Sequence, residues 1–175
     1  MVGGIVEETA KHRVTDLGEA SFKAITRLRD FSGLFRGKLN KQQIRNAIYE
    51  LGVAMEYLPQ CEQELEHLYA DGIYGRKWSC AKGNIIVTEI HTVQHISSLI
   101  KGKMVVASPD GMKILEAPQF FVTEPGTQRV LLVIEDAVFT TVHANPTGER
   151  DPDKLKKMFT VRTFAELPAL VEVVQ

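Results

Sequence analysis

A chain of 175 residues is the size of one ordinary domain with an appendage, since domains commonly run to about 100–200 residues. Apolar residues make up 44% of it and charged residues 25%, values that exclude disorder, collagen and a membrane span. The formal net charge is -1 with both signs interspersed, which lacks the basic field of a nucleic-acid binder, so neither a nucleic-acid nor a membrane partner is expected.

Two cysteines occur, Cys61 and Cys80, in no CxxC or Cys/His spacing. They support neither a disulfide framework nor zinc, and are expected to be small packing residues. The first residues, MVGGIVEETAKHRV, have no apolar core of the secretory kind, so a reducing cytoplasm is the expected setting.

In chain order, Leu17, Phe22, Ile25, Leu28 and Phe31 recur at three- and four-residue steps and predict an amphipathic helix over Thr15 to Phe35, with Asp16 as its cap. Glycines at 33 and 37 break the pattern. Ile44, Ala47, Ile48, Leu51, Ala54, Met55 and Leu58 then follow a helical face closely, with Asn40 as N-cap and Pro59 as the stop. From Leu68 onward the pattern changes to short β-rich runs. Strands are predicted over 73–78, 84–91, 95–101, 103–107, 112–116, 120–123, 129–134 and 137–143, separated by Lys82-Gly83, Pro109-Asp110-Gly111, Pro125-Gly126 and Glu135-Asp136. About eight short strands with no helix between them predict an antiparallel sandwich or barrel. Two amphipathic pieces, Asp153 to Phe159 and Phe164 to Val173, are expected to pack on its outside.

The most informative stretch is GNIIVTEIHTVQHISSLIKG, residues 83–102. Residues two apart on a strand share a face, so Glu89 and His91 are expected on one side, and a short turn brings His95 beside them. Two imidazoles and a carboxylate with open positions is a donor set used by iron and zinc sites. The alternative is a set of hydrogen-bonded polar residues at a barrel mouth. Further on, APQFFVTEPGTQRV places Arg129, whose guanidinium cannot ligate a metal but suits a carboxylate or phosphate. It would equally serve as a structural partner of Glu89 or Glu124. If Glu135-Asp136 forms a hairpin loop, His143 faces away from Arg129, and both enter one pocket only through a bulge or an odd-length loop.

The spacing in 83–102 resembles the first signature of the cupin superfamily. Gly83 and Gly102 stand at its glycine positions, and Glu89, His91 and His95 at its three ligand positions, two of them with exchanged residue type. The second signature is matched imperfectly: Pro118 replaces its first glycine, Pro125 is displaced by one, Gly126 fits, and Arg129 replaces the histidine. From Tyr74 to His143, with IHxxxH, PGxxRV and EDxVxTTVH, the chain resembles small cupin-like proteins of tailed bacteriophages, a group expected to carry lysine where Glu89 stands.

The periodicity predicts an α+β chain, with N-terminal helices over 1–66, a β-barrel over 67–150 and a C-terminal tail over 151–175, and the resemblance implies that the barrel is a cupin-type antiparallel jelly roll. The resemblance also implies a phage setting in the host cytoplasm or in the virion, and no defined activity. The first expectation is a non-catalytic binding or assembly protein that forms homo-oligomers or joins a larger phage assembly. A receptor for a small anionic ligand, using Arg129 with Glu89 and His143, is the second. The alternative is a metal-dependent enzyme in which Glu89, His91 and His95 hold Fe, Zn, Mn or Ni and Arg129 orients an anionic substrate.

Overall fold

The computed structural model describes residues 39–58, 60 and 63–167. The helix expected over Thr15 to Phe35, its cap Asp16, Pro59, Cys61 and the tail beyond residue 167 lie outside them. The chain divides into two compact units, 1–60 and 61–175.

In the first unit, α1 spans Lys41–Met55. Its start is the expected Asn40, in a capping box: the Asn40 side chain accepts from the Gln43 backbone N–H while the Gln43 side chain accepts from that of Asn40. This reciprocal pair satisfies two N–H groups that a helix end otherwise leaves open. Ile48, Leu51 and Ala54, spaced three residues apart, form its buried stripe.

The second unit is built on antiparallel strands: β1 (Glu64–Ala70), β2 (Ile73–Cys80), β3 (Ile85–Val87), β4 (Ile90–His91), β5 (His95–Ser108), β6 (Gly111–Glu116), β7 (Gln119–Thr123), β8 (Val130–Ala144) and β9 (Thr160–Val161). A short helix, α2 (Pro152–Phe159), precedes β9, and a 3-10 turn follows at Phe164–Glu166. The main sheet runs β1-β2-β8-β5-β6, with β3 on β8 and β7 on β5, while β4 and β9 pair separately. It does not close by hydrogen bonding into a barrel, because β1 and β6 end the order.

Two long strands give the sheet its two halves. One half of β8 pairs with β2 and the other with β3, while β5 pairs first with β7 and then with β6. Trp78, Cys80, Leu99, Ala137 and Phe139 from one half pack with Met104, Val106, Leu115, Leu131 and Val133 from the other in one core. Long strands that pass between packed layers through an irregularity are a recognised way to make such a corner.

That irregularity lies at Gly102. The β5–β8 register shifts between Leu99 and Met104, and Gly102 takes φ +88°, the left-handed conformation that suits a bulge glycine. Its consequence is a change of phase: Ser97 and Leu99 are buried before the bulge, and Met104 and Val106 after it.

Three expectations are corrected here. Residues 95–101 and 103–107 form one strand, as do 129–134 and 137–143: Glu135-Asp136 is no hairpin but part of continuous β8. The stretch 84–91 is not one strand, since it breaks at Thr88-Glu89 between β3 and β4. Strand β1, whose buried and exposed residues alternate only weakly, was not expected.

Candidate functional site

Continuity of β8 decides where His143 goes. On one unbroken strand residues 137, 139, 141 and 143 share a face, and Ala137, Phe139, Thr141 and His143 are all buried. Cross-strand pairing sets Tyr74 beside His143 and Arg76 beside Thr141 on β2, and Ser97 beside Thr141 on β5. The inner surface is therefore graded: apolar and aromatic around Trp78, Leu99 and Phe139, polar around Arg76, Ser97, Thr141 and His143.

Into the polar end come His91 and His95. The Gly126-Thr127 turn holds β4, for the His91 N–H donates to the Thr127 carbonyl and the Gly126 N–H to that of His91. The rings of His91 and His95 lie 4.4 Å apart, His95 and His143 stack at 4.2 Å, and His143 stacks on Phe159 of α2 at 4.3 Å. These histidines are only 6%, 4% and 5% exposed. The expected meeting of His91 with His95 is observed, and His143 joins them.

All three imidazoles are held neutral. Burial first, then the neighbouring His95 and the Arg129 guanidinium, push His91 down to about 2. Burial and His95 bring His143 to about 3. His95 is lowered by burial and by Arg129 and Arg76, against a contact between Nδ1 and the Val93 carbonyl. With its Nδ1–H directed at that carbonyl, Nε2 of His95 is an acceptor. His91 Nδ1, His95 Nε2, His143 Nδ1, Thr141 Oγ1 and Arg76 Nε are buried without a hydrogen-bond partner.

Arg129 also points inward. One guanidinium nitrogen donates to Thr123 Oγ1 at 3.1 Å, Thr123 shares a 2.8 Å hydrogen bond with Ser97, and the guanidinium lies over Phe121. The expected pairing of Arg129 with Glu89 or Glu124 does not occur: Glu89 pairs with Lys156 at 3.0 Å and accepts from Thr160, and Glu124 accepts from Gln94.

Glu89 consequently stands apart from the histidines. The same-face argument required a continuous strand, and the break at Thr88-Glu89 turns its carboxylate toward α2. Among the described residues no group of three His, Cys, Asp or Glu side chains is arranged to hold a metal ion. As arranged, the residues do not fit a metal.

A pocket of about 130 Å³ opens beside this cluster, lined by the buried His91 and His143, by the half-buried Arg76, His67 and Thr160 and by the exposed Lys156. Tyr74 and Phe159 form an aromatic side, stacked at 5.9 Å, and His67 Nδ1 meets the Tyr74 hydroxyl at 2.7 Å. Asp153, exposed on the first turn of α2, is the carboxylate in this lining. Arg76, Tyr74, Thr141 and Phe159 were missed from the sequence. Arg76 is in phase with Tyr74, Trp78 and Cys80 on β2, a pattern that marks it as inward only once the pairing with β8 is known.

No family model matches the chain, and no curated protein matches it. Solved structures similar to it include a cupin-2 domain containing protein from Shewanella frigidimarina, 10% identical over 54% of this chain and 91% of that one, TM-score 0.41. An acetylacetone dioxygenase from Acinetobacter johnsonii is 17% identical over 51% and 68%, TM-score 0.43. An HTH_3 family transcriptional regulator from Vibrio cholerae is 19% identical over 48% of this chain, TM-score 0.40, and this chain spans about half of its length, 51%. These likenesses carry no residue role to the present chain. Among the described residues no helix is long and apolar enough to cross a membrane.

Proposed function

We propose that the second unit is a binding module for a small anion, held in the pocket by Arg76 with the imidazoles of His91 and His143. One observation carries this reading. Arg76 and Arg129 both act on His91 and His95, Arg76 alone of the two acts on His143, and among the described residues no carboxylate is among the groups that shift any of the three. A half-buried cation with no ion-pair partner among the described residues is partly desolvated at a cost, and an anion offsets that cost. A pocket of about 130 Å³ is near the size of an engineered cavity of about 150 Å³ that holds benzene, so the ligand is of similar size. Nothing in the arrangement requires catalysis. The test is thermal unfolding at constant ionic strength, with malonate, phosphate or propionate replacing chloride. A ligand that binds the folded state alone at about a hundred times its Kd adds about 2.7 kcal/mol, so a rise in Tm with anion concentration is expected. Identical melting in all of these salts would remove the proposal.

The assembly reading keeps one observation of its own. On the outer face, Leu68, Ile96 and Val122 belong to one cross-strand row running through Gly75 and Val142, with Phe120 beside it. These four residues are exposed. We propose that a second copy of this chain covers that row, within the phage setting that the sequence resemblance implies, because contiguous apolar surface of this kind is uncommon on monomers. Light scattering at tens of micromolar, expressed as about 10–100 μM for a moderate-affinity dimer, should give a dimer or larger species. Phe120→Lys should return it to monomer, and a wild-type monomer mass contradicts the assembly reading.

A further inference from the structure

We infer that the pocket prefers doubly over singly charged anions, with Arg76 as the cation in contact with the ligand and Arg129 as a second fixed charge that sets this preference without touching it. The inference rests on the anion-binding reading and names the ligand class and a specificity residue for it. Arg76 lines the pocket, with Nε buried and unpartnered. Its cross-strand neighbour Thr141, 3% exposed, also keeps Oγ1 without a partner. Like Thr141, Arg129 is not in the lining. It is fixed instead through Thr123 and Ser97, the latter paired with Thr141. An internal polar row thus runs Arg76, Thr141, Ser97, Thr123, Arg129.

The row crosses β2, β8, β5 and β7, and the guanidiniums at its two ends both act on His91 in the pocket wall, so two fixed positive charges face the ligand. The neighbouring imidazoles add no charge. A monoanion compensates one guanidinium, whereas a dianion compensates both, and in a poorly screened interior that difference is large. The nearby carboxylates do not supply it: Glu89 is taken by Lys156, and Asp153 is exposed at the mouth.

Charge without contact has a distinctive signature. Coulomb energy is linear in ligand charge, so if Arg129→Gln weakens propionate by a factor f, it weakens malonate by about f squared. A structural role would weaken both equally.

The experiment is calorimetric titration of the full chain with propionate and with malonate, near neutral pH at constant ionic strength, in wild type, Arg129→Gln and Arg129→Lys. Wild type should bind malonate at least about tenfold more tightly, a difference of about 1.4 kcal/mol. Arg129→Gln should reduce that ratio, and Arg129→Lys, which keeps the charge, should retain it. A wild-type ratio near one overturns the inference whether or not the variants fold, and so does an equal loss for both anions in Arg129→Gln. If neither anion binds wild type, the anion-binding reading itself fails.

Discussion

Gly102→Ala is expected to be among the most damaging single-atom additions in the second unit, costing about 2–5 kcal/mol from left-handed strain of about 1–2 kcal/mol and overpacking of about 1–3 kcal/mol. Gly102 sits at φ +88°. A Cβ there would run into the carbonyl oxygen of Asp136 and lie 2.9 Å from the Ala137 Cα. Both neighbours are backbone of β8, paired along most of its length, and neither can move aside without shifting the register. Gly72→Ala separates the two contributions, because Gly72 has φ +71° with nothing within 4 Å of the added atom. It should lose only the conformational part. Chemical denaturation of the two variants compares them, and equal small losses would mean that the sheet does not depend on the close approach at the bulge.

The second large effect is acid lability. His91 and His143 are pushed down to about 2 and about 3 in the folded chain, against about 6.5 in an unfolded one. Their folded values are depressed, so above pH 6.5 both states hold neutral imidazole and no penalty arises. Below it the unfolded state takes up protons that the folded state refuses, and stability falls until the pH reaches the folded values. The slope is about 1.4 kcal/mol per pH unit for each histidine, about 2 kcal/mol each at pH 5. His95 adds in the same direction. His143→Phe keeps a ring to stack on Phe159 and removes one titrating group, so the slope between pH 6 and 4 should drop by about 1.4 kcal/mol per unit. Denaturation midpoints in chloride across this range give the measurement. Stability that is flat from pH 7 to 5 would mean that the imidazoles are not held neutral.

What could be read from the sequence followed local rules. The N-cap at Asn40 and the turns at Gly83, Gly111 and Gly126 are set by nearby residues, and each appears where its pattern placed it. The meeting of His91 and His95 was also legible, because a tight connection leaves little else. The errors arose where strands cross between sheet halves. Glu135-Asp136 has the composition of a hairpin loop, yet the chain continues straight through it, and that difference alone moved His143 from the opposite face into the cluster. A break of two residues at Thr88-Glu89 removed Glu89 from the same cluster. Neither event has a local signature. Arg76 was overlooked because a cation inside a strand reads as solvent-facing until the pairing with β8 shows that its neighbour Thr141 is buried.

The central claim, that the pocket binds an anion through Arg76, is tested most directly by calorimetric titration of malonate into wild type and into Arg76→Gln. Saturable binding at one site per chain is predicted for wild type, with affinity at least about tenfold lower once the contact cation is neutralised, a loss of about 1.4 kcal/mol or more. Wild-type protein that shows no saturable heat, or an Arg76→Gln variant that binds malonate as tightly as wild type, would contradict it.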